Sequence, residues 1–443
     1  MTNNQSTTVP TPGRPRVVIV GSGFAGTFTA RRLEKLLPPD AADVTLVSAT
    51  DHLLYSPLLP EVAAGRLDPR RISVPLRSVL HRTRVVQGAV DAVDLDGRTV
   101  AVNSAATGSR TLGWDRLVLT TGSVTRTFDT AGVTEHAFGL KTAREAQAVH
   151  DHVLRQLELA DAADDPAERR ARTTFLSVGA GYAGSETAAQ MQHMVHLHLP
   201  RFPRLDPADV RWVLIDVAEQ VLPELGPQLG EVALGVVRAR GMEVRLGTSL
   251  SEVRADGVTF ADGTTLATRT VMWTVGVEPP PLVAGLGLEV RRGRLVVDEQ
   301  LQVREHVWAA GDSAAAVDPF DAQGRDHPPT AQHAQRQGTA VARNVAASLG
   351  HGSARPYRHR DLGLVADLGG TASVARPLGR PLTGLPAKLV TKGYHLYALP
   401  GAGNRLRVGA DWLVNLVSRP LPVQLGLVDP ASARLASEHP TRA

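Results

Sequence analysis

The sequence predicts an α/β protein built on two Rossmann-like dinucleotide-binding domains, and two observations predict it. VVIVGSGFAG at residues 17–26 and FLSVGAGYAG at residues 175–184 carry three glycines at one common spacing. Each phrase follows or contains a short apolar run suited to a buried parallel strand, and each leads into a segment with the composition of a helix.

The glycines therefore stand at strand-to-helix turns, where each has its own task. Gly21 permits the tight turn, Gly23 lets backbone approach a pyrophosphate, and Gly26 lets the helix pack closely on the strand, with Phe24 and Ala25 between them. Gly179, Gly181 and Gly184 repeat the set 158 residues later. The first helix is expected over residues 27–37, stopping at Pro38. Its N-terminus would offer unpaired N–H groups and a partial positive charge to phosphate. One such motif is a weak signal, but two in matching context select two dinucleotide folds.

An acid at the end of the next strand holds the ribose hydroxyls in such folds. Asp216 closes the run VRWVLID with no arginine after it, so the second cradle is expected to take NADH rather than NADPH. In the first unit Ser48 stands at that position, and Asp51 follows three residues later. A serine hydroxyl there can still bond a ribose.

Length and composition bound the rest. A chain of 443 residues is long enough for two or three domains, and its 41 glycines and 30 prolines call for many tight turns. The absence of cysteine excludes disulfides, CxxC redox pairs and thiolate metal sites, so any redox chemistry must reside in a bound organic cofactor. Lys and Arg number 48 against 44 acids with no long basic tract, so no nucleic-acid partner is expected. The first sixteen residues lack the apolar core of a signal peptide, and no run of about 18 apolar residues occurs. A cytoplasmic protein that does not span a membrane is the expectation. The histidines gather only in HMVHLHLPRF, at His193, His196 and His198, which reads as a helix end rather than a metal site; no metal is expected.

Further phrases carry a resemblance. HLLYSPLLPEVAAG, WDRLVLTTGS, EHAFGLKTAREA, VWAAGDSA and PPTAQHAQRQG follow one another in this order. Over roughly residues 16–420 the chain resembles the two-dinucleotide-binding-domain flavoproteins and, within them, the type II NADH dehydrogenases, which pass electrons from NADH through FAD to a quinone.

The resemblance implies FAD in the first cradle and NADH in the second. It splits the FAD domain in sequence, as residues 1–125 and 290–345, around an NADH domain at 126–289, and leaves 346–443 as a C-terminal α+β or helical region. Tyr55, Ser56, Thr121 and Gly122 would line the flavin nucleotide. Gly311 and Asp312, at the end of a strand and the start of a helix, would grip the ribityl chain. Gly276 and Val277 would lie against the nicotinamide, and Ala331 would open a helix under the flavin. Glu186 would be the catalytic acid near both rings, the alternative being a first-turn glutamate held by the helix dipole. Gln332 and Arg336 would meet the quinone headgroup. Arg336 replaces the second glutamine of the family's AQxAxQ-like stretch, with Gln337 beside it; binding a more anionic acceptor and pointing outward both stay open for it.

Between the domains, Ala146, Val149, Val153, Leu154 and Leu157 fall at helical spacing, and residues 161–172 read as a charged loop. In the tail, helices are expected over 387–399 and 404–418, both too short to cross a bilayer. Lys388, Lys392, Arg405, Arg407 and Arg419 would suit anionic lipid, placing the protein peripherally on the inner face of the cytoplasmic membrane. Leu389, Leu396, Tyr397, Trp412, Leu413 and Leu416 would enter the interface, or else pack on the body or on the mate in a homodimer. Two other functions stay open: a soluble NADH-dependent flavoprotein reductase of a protein or small-molecule acceptor, and a flavin-binding interaction protein switched by NADH. Thiol reductases and sulfide:quinone oxidoreductases are set aside because their usual chemistry needs cysteines.

Overall fold

The computed structural model describes residues 13–104, 108–128, 130–321, 323–418 and 420–435. The chain divides into two compact units. One comprises Met1–Leu54, Ser73–Val124 and Val277–Arg360; the other comprises Tyr55–Ile72, Thr125–Gly276 and Asp361–Ala443.

The first unit is built on a six-stranded sheet in the spatial order Gln302–Arg304, Val307–Ala309, Arg116–Leu119, Arg16–Val20, Asp43–Ser48 and Arg84–Gln87. All neighbours run parallel except the first pair. The register sets Val20 opposite Val47 on one side and Leu119 on the other. Because both faces of a parallel sheet are covered, its strands are continuous apolar runs, and Val17, Ile19, Leu46, Leu117, Val118 and Val307 are fully buried. Val307–Ala309 reaches the chain only after the second unit's long segment, so this sheet is completed from two distant stretches of sequence.

The helix after the first glycine set runs Phe24–Leu36, three residues earlier than the composition indicates, because Gly23 itself serves as its N-cap. It packs on the helix Ala331–Ser348 so closely that a Cβ on Gly338 would stand 2.2 Å from the Ala25 carbonyl oxygen.

The second unit holds a four-stranded parallel sheet in the order Glu243–Arg245, Arg211–Ile215, Thr174–Val178 and Thr270–Trp273. Its core gathers Leu176, Val178, Val213, Ile215, Phe260 and Trp273 with Leu435 from near the end of the chain. The helix expected between the domains runs Ala143–Ala162 and starts with a capping box in which Thr142 and Glu145 satisfy each other's backbone donors. All five apolar residues that predict it are buried.

The charged loop expected over 161–172 is instead mostly helical. The first helix runs on to Ala162, and a second covers Pro166–Thr173. Asp165 caps it by accepting from the Ala167 N–H at 2.9 Å, Pro166 suits its first turn, and Glu168 pairs with Arg172 one turn on at 2.6 Å and with the distant Arg269. Ion pairs rather than an apolar stripe hold this helix, which is why periodicity misses it.

The tail contributes a three-stranded sheet of Val365–Asp367, Ser373–Ala375 and Leu382–Thr383, then the helices Gly384–Ala398 and Ala402–Val417. Arg419 lies outside the described residues. Among the described residues no helix is long and apolar enough to cross a membrane.

The contact at Gly338 yields a test of the first unit. Gly338→Ala forces the two helices apart and should cost about 1–3 kcal/mol, the usual range for overpacking, read as a lower midpoint of denaturant unfolding. An unchanged midpoint would mean the helices do not meet as closely as described.

Candidate functional site

In the first unit three parallel strands end side by side, at Val20, Leu119 and Ala309, and each leads into a turn. Gly21 has φ +97°, and a Cβ there would lie 2.2 Å from the Thr120 carbonyl oxygen. A Cβ on Gly26 would lie 1.9 Å from the Gly21 carbonyl. Only Gly23, at the helix N-terminus, faces open space. The first and third glycines thus lock the turn, and the second leaves room for a phosphate against unpaired N–H groups.

Several of the residues the sequence assigns to the flavin lie at these turns. The Thr121 hydroxyl is buried without a hydrogen-bond partner, and Gly122, at φ +69°, has no neighbour near its missing Cβ. An orphaned polar atom beside an open glycine is what a site shaped for a polar ligand leaves behind. The Asp312 carboxylate accepts from the Ser123 hydroxyl at 2.6 Å. The helix expected to start at Gly311 is instead the three-residue 3-10 turn Gly311–Ser313, after which the chain returns to a strand at Ala314, so no helix dipole acts at that point. Gln337 fixes the turn by accepting from the Gly311 N–H at 2.7 Å, and Ala25 packs beneath it. The Ser48 hydroxyl lies 2.5 Å from that of Ser22 and donates to the Thr50 carbonyl at 2.6 Å, so it braces the turn. Tyr55 and Ser56 belong to the second unit, where Tyr55 is buried with its hydroxyl 3.1 Å from His395 Nδ1.

The second cradle repeats the pattern of two closed glycines around an open one. Gly179 has φ +109° and would place a Cβ 2.9 Å from the Thr274 carbonyl; Gly184 would place one 1.8 Å from the Gly179 carbonyl; Gly181 is open. The brace is a threonine in both units, a feature sequence reasoning missed. Thr120 donates to the Val20 carbonyl at 2.8 Å, and Thr274 donates to the Val178 carbonyl at 2.8 Å. Asp216 follows its strand directly and ties the loop, one carboxylate oxygen accepting from the Ala180 N–H at 2.5 Å and the other from the Ala218 N–H at 2.8 Å. The Tyr182 hydroxyl is buried without a partner. Gly276 lies against Phe128, over which Arg126 stacks at 4.3 Å, and Val277 is partly exposed.

Glu186 is the fifth residue of the helix Tyr182–His198 and is buried, so the first-turn position read from the sequence is corrected. Burial raises its carboxyl to about 8, with the nearby Asp367 and Glu61 carboxylates adding to the rise. Its Oε1 accepts from the Asp367 N–H at 2.6 Å. Burial also pushes Asp367 upward, but Lys392 and Lys388 outweigh it and hold that carboxyl down at about 2. Lys388 pairs with Asp367, while Lys392 lies 3.3 Å from Asp367 and pairs with Glu61, which also accepts from the Trp412 indole at 2.7 Å.

Two of the tail cations read as lipid-facing, Lys388 and Lys392, turn inward instead, while Arg405 and Arg407 are exposed. Lys388 and Lys392 neutralise buried acids, Arg405 donates to the carbonyls of Leu399 and Tyr397, and Trp412 is anchored to the body. Sequence inspection overlooked Glu61, Asp367 and His395, although Lys388, Lys392 and His395 at spacings of four and three do mark one helix face.

Gln332 is buried on the helix Ala331–Ser348, whose N-cap is Thr330, and Arg336 one turn on donates to its Oε1 at 3.1 Å. Arg336 therefore does not point outward. At the histidine-rich helix end, His198 Nδ1 accepts from Arg201 at 2.9 Å. Among the described residues no group of three metal-ligating side chains converges.

Residues 15–338 match the pyridine nucleotide-disulphide oxidoreductase family. The chain is 30% identical to the type II NADH:quinone oxidoreductase Ndh of Mycobacterium tuberculosis, covering 94% of this chain and 91% of that protein. The chain belongs to the type II NADH:quinone oxidoreductase family. A second relative of this family member is the demethylphylloquinone reductase NdbB of Synechocystis, 30% identical over 93% of this chain and 98% of that one. The solved structure of NDH2 from Plasmodium falciparum in complex with NADH shares the fold, with a TM-score of 0.83 at 16% identity over 93% of this chain and all of that one. Without cysteine, this oxidoreductase cannot run the dithiol chemistry in the broader family's name.

The two open glycines separate the two nucleotides experimentally. Gly23→Val should yield protein purified without flavin. Gly181→Val should keep its flavin but lose at least about tenfold in NADH affinity, measured by titration. Loss of flavin in both, or in neither, would contradict the assignment.

Proposed function

We propose that this chain is an FAD-dependent oxidoreductase that takes a hydride from NADH and passes electrons on to a quinone. The observation that carries this reading is the pair of matching cradles, each with one open glycine, in a chain of this family. The domain assignment is part of the proposal: FAD belongs to the cradle of Gly21, Gly23 and Gly26, with Thr121, Gly122 and Asp312, and NADH to that of Gly179, Gly181 and Gly184. FAD, when bound, supplies the exchange between two-electron and quinone chemistry. The chain's own residues bind, orient and exclude water. Thr121 offers an unused hydroxyl to the flavin nucleotide. Asp216 fixes the loop of the second cradle and lies where a ribose hydroxyl would reach it. Gly276 and Val277 are assigned to the nicotinamide side.

Reducing a quinone to a quinol consumes two protons, and Glu186 is the proposed donor. Because Oε1 accepts from the backbone, its acidic proton resides on Oε2, and with a value near 8 the group is in its donor form at neutral pH. Glu186→Gln should slow reoxidation of the NADH-reduced flavin by a menaquinone analogue about 10²-fold or more, the size of effect that removing a positioned acid commonly has, while flavin reduction by NADH persists. The rate of the native protein should fall as pH rises through about 8, and the variant's should not. Stopped-flow flavin absorbance measures both; a pH limb retained in the variant would remove Glu186 from the role.

A quinone with an isoprenoid tail is met at a membrane. Leu389, Tyr397, Leu406, Leu413 and Leu416 are exposed on the helices Gly384–Ala398 and Ala402–Val417. Exposed apolar side chains on two successive helices support peripheral attachment on the NADH side, the inner face of the cytoplasmic membrane. With Lys388 and Lys392 turned inward, apolar area rather than charge would drive it. The protein should sediment with neutral phosphatidylcholine vesicles at high salt, and Leu413→Asp with Leu416→Asp should abolish this. A native protein that stays free of vesicles and has twice the chain mass would assign the face to a homodimer instead.

A further inference from the structure

We propose that Arg336 is a positioning residue: braced by His359, it fixes the amide of Gln332 so that the NH2 end is presented to an acceptor carbonyl. The proposal rests on the quinone reading above and deepens it.

A guanidinium can only donate, so the Gln332 atom 3.1 Å from Arg336 Nη2 must be the amide oxygen, and Nε2 is left with donors to spare. The other end of the guanidinium is held as firmly. Nη1 donates to the Arg360 carbonyl and lies 3.1 Å from His359 Nε2. Nη1 also lies 3.5 Å from His359 Nδ1, and that nitrogen is 3.1 Å from the Tyr357 hydroxyl. His359 in turn stacks on His333 at 3.8 Å with the rings 16° apart, and His333 is tied to Thr330 at 2.7 Å. Burial keeps the His333 ring uncharged, down at about 3, so the stack adds no positive charge beside Arg336.

Arg336 thus donates at both ends, to the Gln332 amide oxygen on one side and to the Arg360 carbonyl and the His359 ring on the other. A glutamine side chain left alone presents either end of its amide. Here one end is spoken for, and a quinone carbonyl oxygen, which only accepts, meets the end that donates. The substitution that departs from the family's glutamine therefore sets the polarity of its neighbour.

The test uses the flavin-loaded full chain and a short-chain menaquinone analogue. Arg336→Met should raise the KM for the quinone about tenfold, the loss of one charge-assisted hydrogen bond, with a smaller change in kcat. Calorimetric binding of an unreducible aromatic ketone should weaken in parallel. Gln332→Ala should make the Arg336→Met change silent, because Arg336 acts only through that amide. His359→Leu should resemble Arg336→Met, whereas His359→Gln, whose amide oxygen still accepts, should restore the native KM. Full additivity of Gln332→Ala and Arg336→Met, or an unaltered KM and ketone affinity in Arg336→Met, would overturn the proposal. If Arg336→Met fails to retain flavin, the two His359 variants make the same comparison, and equal effects from both would overturn it. A native protein that NADH reduces but no quinone reoxidises would overturn the quinone reading itself, a result visible before any variant is made.

Discussion

At the end of the first strand of each parallel sheet there is no room for one methyl group. The third glycine of each set lies under the carbonyl of the first, at 1.9 Å from a would-be Cβ in one unit and 1.8 Å in the other, and the first is pressed on the threonine that follows the neighbouring strand. That close approach fixes the direction in which each helix leaves its strand, hence the direction in which its free N–H groups point. The open second glycine is meaningful only because its two companions are closed. A chain that kept the spacing but placed alanine at Gly26 or Gly184 would displace the helix and, with it, the phosphate site.

This constraint is local, which explains what was legible in the sequence. Strand, turn and helix lie within ten residues, so spacing alone reveals both cradles, and the apolar positions of Ala143–Ala162 reveal that helix in the same way. Features that depend on distant partners were not legible. The helix Pro166–Thr173 is held in part by Arg269, 101 residues from Glu168. Lys392 reads as a surface cation until Glu61, 331 residues away, is placed beside it. The same holds for Arg336, whose neighbours in sequence suggest a ligand contact, whereas His359 and Arg360 show a brace. Resemblance located Glu186, but its protonation follows from burial, which no motif records.

The buried charges beneath Glu186 do not amount to a stability argument. Removing ions from water costs several kcal/mol each, and their attraction roughly offsets that cost only when the geometry is complete. What such a group supplies is specificity: the ion pairs of Glu61 and Asp367 with Lys388 and Lys392, and the Trp412 indole on Glu61, form in one arrangement, and this pins Gly384–Ala398 and Ala402–Val417 within the second unit. The apolar side chains on the outer faces of those helices are exposed because the inner faces are committed to this polar network.

The same network decides which acid is free to exchange a proton. Two carboxylates, Glu61 and Asp367, face two ammonium groups, Lys388 and Lys392, and the formal charges cancel. A fifth charge on Glu186 would have no counterpart, in surroundings that screen it poorly, and so that carboxyl is the one raised to about 8. Its proton can leave and return without breaking an ion pair. Asp367 lies between the two roles, since its side chain holds the lysines while its backbone N–H supports Glu186. Neutralising Asp367 would therefore unbalance the pairs in favour of positive charge and pull Glu186 toward ionisation, removing the donor form without touching the acid itself.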